Sequence, residues 1–398
     1  MQILAICPAR VSFYGWTPRK NQNKKQIDLI KEVVEDPSIK RIAVSGHNNP
    51  DADSIGACFA TAYLLNQKIG QPVDVYIFGR VPKKFRYLQN NDVMNIIELE
   101  KEPQYLRIPP KPYDLAVSVD TSDTNLMNKD YYRNVFKRAG RTIKIDHHKL
   151  PDNMNSDMER RLLYANINFT DSTSPSASEL IMQLTKPLGI MPSQLPQGFN
   201  NSVYTGILGD TGNFNYATNT MPFYDTVLLV KNGLNPEKVS RRMNAKLSKE
   251  ALQIMAMVRE KVKFKGNVVA LYLDEDIKKA IDNLQDEDMR YELQNRIRTY
   301  TANLRNIEDV EVSLLITPSE NNYLYVSARS NHINVRKIAQ FHNGGGHDKA
   351  AGFLVRADKK DEYVINDVIK EFQKQINIRN AQIQAKADRK KVLTKIFS

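Results

Sequence analysis

Four short apolar runs in the N-terminal part of this chain each end on aspartate or histidine, and that repetition restricts the fold more than any other feature. Arg41–Val44 opens onto Ser45–Ala60, SGHNNPDADSIGACFA, which carries His47, Asp51 and Asp53. Leu115–Val119 ends at Asp120, and Thr142–Ile145 ends at Asp146-His147-His148. Val203–Leu208 runs into Gly209-Asp210-Thr211-Gly212. Apolar runs this short read as buried strands. After the first, an apolar helical run from Ile55 to Ile69 stops at Gly70, where a helix wants a residue free to turn left-handed. The first polar group therefore lies on a strand-to-helix turn. Taken as strands with polar ends, all four runs predict an α/β fold with a mostly parallel sheet, in which ligands bind at the carboxyl ends of strands.

The remaining pattern fills in two domains. Val73–Phe78 reads as a further strand, with helices over Asn23–Glu35 and Ser174–Leu184. From Pro236 to about Val262 the chain is charged, helical and free of glycine, and it reads as a bridge. A second alternation follows: strands at Val268–Leu273, Val310–Thr317, Tyr323–Arg329 and Phe353–Arg356, with helices at Ile277–Leu304, Ile333–Phe341 and Tyr363–Ile376. A chain of 398 residues exceeds what one small core serves. The expected division is an extension (1–40), a first domain (41–235), a helical linker (236–265), a smaller α/β domain (266–376) and a basic tail (377–398).

The polar clusters offer five aspartates and three histidines. Unpaired carboxylates crowded together raise each other's pKa, and divalent cations remove that conflict. Two ions about 3.5–4 Å apart make a clamp for phosphoryl displacement. Mixed carboxylate and imidazole ligation favours Mn²⁺, with Mg²⁺ admissible, and no CxxC suggests a thiolate site. An aspartate at a strand end is by itself commonly a helix cap; the force lies in four clusters at equivalent positions. In the second domain, Gly344-Gly345-Gly346-His347 reads as a glycine turn whose N–H groups could form an anion nest. Arg329, in VSARSN, suits a phosphate fork. His332 and His342 have no such company and read as surface or packing residues.

Composition bounds the setting. A formal net charge of +12 suits a polyanionic substrate. Two cysteines, Cys7 and Cys58, exclude a disulfide framework and point to a reducing compartment. No apolar run reaches a membrane span. The opening MQILAICPARVSFYGW lacks the basic region of a signal peptide and reads as an edge strand or arm.

HNNPDAD, VSVDTSD, IDHH, GDTGNF and GGGHDKAAGF, in that order over roughly residues 40–375, resemble the DHH phosphoesterase family with a C-terminal DHHA1 domain. The nanoRNase (oligoribonuclease) and pAp phosphatase subgroup fits best. The resemblance implies a DHH domain joined by a helix to a DHHA1 domain, with the active site in the cleft between them. It implies one metal on His47, Asp51 and Asp120, and another on Asp53, Asp120, His147 and Asp210, so that Asp120 bridges. His148 would polarise the scissile phosphate, supported by Asp146, and a metal-bridging hydroxide would attack. Arg329, Gly345, Gly346 and His347 would hold the substrate. The implied activity is cleavage of short oligoribonucleotides to nucleoside 5′-monophosphates and of 3′-phosphoadenosine 5′-phosphate (pAp) to AMP, in the cytoplasm, with a homodimer compatible. The chain departs from the family at Ala52 and Ala57, where many relatives have glycine and serine, and at Asn215, where many have arginine. The alternatives are a phosphodiesterase for linear or cyclic di-AMP, or a nucleotide- or nucleic-acid-binding protein without catalysis.

Overall fold

The computed structural model describes residues 23–99, 108–149, 156–215, 219–244, 246–357 and 360–397. They divide into two units, Met1–Ala245 and Lys246–Ser398. The N-terminal segment read as an edge strand or arm lies outside the described residues.

In the first unit the elements run α1 (Lys24–Glu35), β1 (Ile42–Ser45), α2 (Ala52–Ile69), β2 (Val73–Phe78), β3 (Met94–Leu99), β4 (Leu115–Val119), α3 (Lys129–Asn134) and β5 (Arg141–Asp146). They continue through α4 (Ser156–Arg161), β6 (Ile167–Thr170), α5 (Ala177–Leu184), α6 (Gln197–Asp210), α7 (Met221–Lys231) and α8 (Pro236–Met243). The strands form one sheet in the order β3-β2-β1-β4-β5-β6, and every neighbouring pair is parallel. Chain order reverses between β1 and β4. Loops leaving those two strands therefore part in opposite directions and open a crevice at their carboxyl ends, where such sheets bind ligands.

One sheet face is covered by α2, whose residues from Asp53 to Leu65 are all buried. A helix buried all round must pack against helices as well as the sheet, and α2 does so against α6. Their close approach needs glycine. A Cβ on Gly56 would lie 2.5 Å from the Ser202 carbonyl oxygen, and one on Gly206 2.4 Å from Asp53 Oδ1. The core on this face includes Phe59, Leu64, Ile77 and Phe199. The opposite face carries Tyr76, Tyr131 and Phe136.

The second unit runs α9 (Lys249–Glu260), β7 (Val262–Lys265), β8 (Val268–Tyr272), α10 (Glu275–Asp282), α11 (Glu287–Asn303), β9 (Val312–Ser319) and β10 (Tyr323–Ser330). It ends with α12 (Val335–Phe341), β11 (Gly345–His347), β12 (Ala350–Arg356) and α13 (Asp361–Phe397). Its sheet has the order β11-β12-β10-β9-β8-β7 and is antiparallel except for the β8–β9 pair. Val326, Ile316, Phe353 and Phe372 form its core on one face; Leu271, Leu293, Ile297 and Leu315 pack on the other.

The α/β architecture agrees with the sequence reading, and four details correct it. Val203–Leu208 is not a strand but part of α6, because a short apolar run looks the same in a buried helix and a buried strand. The single bridge expected from Pro236 to Val262 is two helices. The second starts afresh at Ser248, whose Oγ accepts the Ala251 N–H at 3.1 Å. Ile277–Leu304 likewise divides into α10 and α11, the latter capped by Asp286. Strands β3, β6 and β7 were not read at all; β3 and β7 are only partly buried, and β6 is four residues at a sheet edge.

Candidate metal centre

Three loops at the carboxyl ends of β1, β4 and β5 meet at the switch point. After β1, Asp51 caps α2: its Oδ1 accepts the N–H groups of Asp53 and Ser54, each at 3.0 Å. That is the local reason the sequence turns from strand to helix here. His47 Nδ1 lies 2.8 Å from the Asn48 carbonyl oxygen, which places a proton on Nδ1 and turns Nε2 inward towards the carboxylates. After β4, Asp120 adopts φ +51°, a left-handed conformation unusual for a residue with a side chain and common where a site dictates the backbone. After β5, Asp146 is buried and its Oδ1 lies 2.8 Å from His148 Nδ1.

Asp120 is the hub. Its Oδ2 lies 3.4 Å from His47 Nε2, while its Oδ1 lies 3.5 Å from His147 Nε2 and 3.6 Å from His148 Nδ1. His47 Nε2 is also 3.7 Å from Asp51, and His147 Nε2 is 3.9 Å from Asp53 and 2.9 Å from Asp210. Three overlapping donor groups result: His47, Asp51 and Asp120; Asp53, His147 and Asp210; and Asp120, His147 and His148. All eight polar residues singled out in the N-terminal part of the sequence are thus brought together.

Asp210 reaches the cluster from the carboxyl end of α6 rather than from a strand. A carboxylate there faces the negative end of the helix dipole, so local stability does not explain its place. Two participants were invisible in the sequence. The backbone N–H groups of Ala177 and Ser178, at the start of α5, donate to Asp53 Oδ2 at 2.6 Å and Oδ1 at 3.0 Å. They open a helix capped by Ser176, whose side chain accepts the Glu179 N–H.

The electrostatics show a cluster short of positive charge. Burial opposes ionisation of His47, but Asp120 and Asp51 outweigh it and carry its pKa up to about 11. Burial likewise opposes the charge on His147, yet Asp120 and Asp210 bring it to about 12. Asp53 is pushed well above the usual carboxylate range by burial and then by Asp210 and Asp120. Asp210 is raised by burial and by Asp51. For Asp120, burial pushes up while His147 and His47 pull harder, holding it below the usual range. His148 loses by burial and gains more from Asp146, so it too is raised.

A divalent cation fits this donor set. Asp120 Oδ1 is buried at the centre of the cluster without a hydrogen bond, and His147 Nε2, though 2.9 Å from Asp210, makes none of proper geometry; such atoms are costly unless something pairs with them. The only described cysteine, Cys58, is buried, with its thiol held protonated by burial. The donors are therefore carboxylate and imidazole, suited to a hard or borderline ion.

In the second unit the structure corrects the glycine turn. Gly345–His347 is a short strand paired with β12, and the Gly344 N–H is donated to the Ala339 carbonyl at 2.7 Å. The glycines are there first because two backbones cross closely: a Cβ on Gly344 would lie 2.3 Å from the Gly352 carbonyl oxygen, and one on Gly346 2.4 Å from that of Ala350. Above Gly345 there is open space. By register, His347 lies opposite Ala350, and Ala350 opposite Arg329, so those two candidate substrate residues share one row across the sheet, with Gly346 and Gly345 in the next rows. Arg329 Nη1 donates to Ser327 Oγ at 3.1 Å and to the Ala328 carbonyl at 3.0 Å. His332 is an exposed surface residue paired with Glu311, while His342 is a packing residue that pairs with Glu371 and stacks on Phe353. Of the departures, Ala52 packs over Gly209 and Ala57 is core, while the Asn215 amide donates to the Gly212 carbonyl at 2.7 Å.

Comparison with known proteins agrees with this geometry. Residues 41–207 match the model of the DHH family, N-terminal domain, and residues 291–377 that of the DHHA1 domain. The chain is 25% identical over 355 residues to the bifunctional oligoribonuclease and PAP phosphatase NrnA of Mycoplasma genitalium, covering 88% of this chain and 98% of that one. It is 23% identical to the cyclic-di-AMP phosphodiesterase GdpP of Bacillus subtilis, over 85% of this chain and 49% of that one. Among solved structures, an exopolyphosphatase-related protein from Bacteroides fragilis has the same fold, with a TM-score of 0.69 at 20% identity, covering 87% of this chain and 96% of that one.

Proposed function

The chain belongs to the DHH phosphoesterase family with a DHHA1 domain, and from that premise we propose that it hydrolyses short oligoribonucleotides to nucleoside 5′-monophosphates and converts pAp to AMP. The observation that carries the reading is Asp120, a buried carboxylate in a left-handed backbone whose two oxygens face different histidines. Two divalent ions, Mn²⁺ in our reading, would be held by His47, Asp51 and Asp120 and by Asp53, Asp120, His147 and Asp210. Bound there, they would supply charge neutralisation and a more acidic water. The N–H groups of Ala177 and Ser178 orient Asp53. Asp146 fixes His148 through Nδ1, so that the ring can donate from Nε2 to a phosphoryl oxygen. Arg329, Gly345, Gly346 and His347 hold the substrate. The net charge of +12 favours a polyanion, and the likeness to the NrnA proteins supports this substrate class. Among the described residues no helix is long and apolar enough to cross a membrane, and buried, unpaired Cys58 fits a reducing cytoplasm.

Likeness to a cyclic-di-AMP phosphodiesterase favours a second reading, cleavage of linear or cyclic di-AMP. One panel separates them. Purified protein with Mn²⁺ is given a 5′-phosphorylated RNA dinucleotide, a five-nucleotide RNA, a long single strand, pAp, linear and cyclic di-AMP, and pyrophosphate, with Asp120→Ala as the blank. Fast cleavage of short RNA and pAp, absent from the variant, supports the first reading. Turnover confined to a di-AMP moves the protein to the second. Equal activity in the variant removes the Asp120-centred mechanism.

A further inference from the structure

Helix α13 has 37 residues and is therefore about 55 Å long. Only its first half is held by the core of the second unit. Val364, Val368, Ile369, Phe372 and Ile376 are buried there, and no residue from Asn377 to Arg389 is. The segment that reads as a basic tail in the sequence is thus the far half of this helix. One side of it is chemically uniform. Gln375, Arg379, Gln382, Lys386 and Arg389 recur at intervals of four, three, four and three, the spacing that keeps residues on one face. None of them is buried, none is acidic, and the row spans about 21 Å. At its near end Arg379 lies 3.4 Å from Glu311.

Local stability does not account for this row. Cations favour the carboxyl end of a helix, but that effect fades within the last turn, and Lys386 and Arg389 precede Phe397 by two turns or more. A helix that stands free in water does so by pairing opposite charges at intervals of three or four. Nearer the core Lys370 pairs with Asp367 in that way. In the far half the one acid is Asp388, and it accepts from Gln384 at 3.0 Å. Lys386 and Arg389 make no ion pair among the described residues. The sequence continues through Lys390, Lys391 and Lys395 with no further acid. A second helix or a lipid surface would need an apolar stripe. The exposed isoleucines, Ile378 and Ile383, are five positions apart, about 140° around the helix, and form none. A row of cations and amides free of acid instead matches a phosphate backbone, which lysine and arginine neutralise and amide side chains hydrogen-bond.

We propose that Gln375, Arg379, Gln382, Lys386 and Arg389 form a docking surface for the phosphate backbone of single-stranded RNA longer than the site cleaves. The proposal builds on the short-RNA reading: a strand held on α13 keeps its ends at a raised effective concentration near the enzyme.

The test is fluorescence anisotropy on the full chain in EDTA, so that nothing is cleaved, with a labelled twelve-nucleotide single-stranded RNA over a range of salt. The double variant Lys386→Gln, Arg389→Gln is expected to bind about tenfold more weakly, with a salt slope smaller by about 1.4, the share of two single-strand phosphate contacts. Its circular dichroism spectrum, and its hydrolysis of the 5′-phosphorylated dinucleotide in Mn²⁺, should match the parent's. Gln382→Lys, on the row, should tighten RNA binding about threefold; Gln384→Lys, two positions on and facing away, should not. Unchanged binding by the double variant, or equal gains from the two lysines, overturns the docking surface. So does binding to phosphatidylserine vesicles that falls in the double variant while RNA binding holds, which assigns the helix to a lipid headgroup. If RNA binding depends on the row and no form of the protein hydrolyses the dinucleotide, the surface stands and the short-RNA reading falls. If the dinucleotide is hydrolysed and the longer RNA does not bind, the surface falls and that reading stands.

Discussion

The carboxylate–histidine cluster of the first unit and the cavity lined by Arg298 and Arg329 in the second are opposites in charge, and they are built by opposite means. The first gathers side chains from three strand ends of a parallel sheet, beside its chain reversal, and adds Asp210 from the end of α6. The second gathers side chains along two antiparallel strands and one helix, on the flat of a sheet rather than its end. A parallel sheet concentrates its reactive groups because all its strands finish on one edge. An antiparallel sheet has no such edge and offers instead a broad face. The cluster is suited to bond-breaking chemistry, the face to holding a ligand. If that division is right, changes in the first unit should act on kcat and changes in the second on KM.

The largest expected effect is Asp120→Ala. Losing the residue shared by both proposed ion sites forfeits several kcal/mol of transition-state stabilisation, about 10³-fold or more in kcat. Steady-state kinetics on the 5′-phosphorylated dinucleotide, beside a thermal melt to confirm folding, would measure it. A variant with kcat intact and only KM raised would reverse the assigned roles of the two regions.

Next comes the response to pH and metal. Burial disfavours the charged rings of His47 and His147, yet the facing carboxylates hold their pKa at about 11 and 12, against about 6.5 in an unfolded chain. A raised histidine stabilises the fold fully below about 6.5, and that contribution declines as pH climbs towards the folded value. Asp53 and Asp210, also raised, act in the same direction above the usual carboxylate range. Asp120, lowered, contributes a constant amount until strongly acidic pH. The metal-free protein should therefore melt lower at pH 9 than at pH 6.5. Metal must displace these protons, so its affinity should rise about tenfold per pH unit for each proton released. Thermal melts with EDTA and with Mn²⁺ across that range test both signs; a metal-free melting point that rises with pH would falsify the charge account.

That contrast also explains what the sequence disclosed. The cluster was legible because its members are chemically conspicuous and sit where short apolar runs stop: His47, Asp120 and His147 needed no tertiary knowledge. Asp210 joins the cluster from a different element than the one read, since Val203–Leu208 carries no period that separates helix from strand. Ala177 and Ser178 contribute backbone N–H groups, which every sequence has. In the second unit, Gly344–Gly346 drew attention as a turn, but their spacing could not reveal that β12 would run beside them. Arg298 was one arginine among many until the fold brought it to the wall of the cavity that Arg329 also lines.

A third prediction concerns the second unit. Arg329→Ala should raise KM for the phosphorylated dinucleotide about tenfold, the effect of one charge-assisted contact, and leave kcat within about threefold. If kcat falls with KM unchanged, Arg329 acts on the transition state and the division into chemistry and binding fails there.

The smallest expected effect is at Asn215, and it probes the division from the other side. The family resemblance implies an arginine at this position, which would give the first unit a phosphate contact of its own. Here the Asn215 amide is used within its turn, donating to the Gly212 carbonyl. The turn itself is made by Gly212, Asn213 and Phe214, all at positive φ, and is pinned by the Phe214 N–H donating to Thr211 Oγ1 at 2.9 Å. One exposed hydrogen bond in a turn already held this way is worth about 1 kcal/mol or less. Asn215→Ala should therefore change KM and kcat by no more than about twofold. Asn215→Arg should lower KM if the vacated role can be restored at this position, again with little change in kcat. A tenfold loss in Asn215→Ala would mean that the turn touches substrate as it stands. The first unit would then bind as well as cleave, and the cavity in the second would share the anchoring rather than provide it.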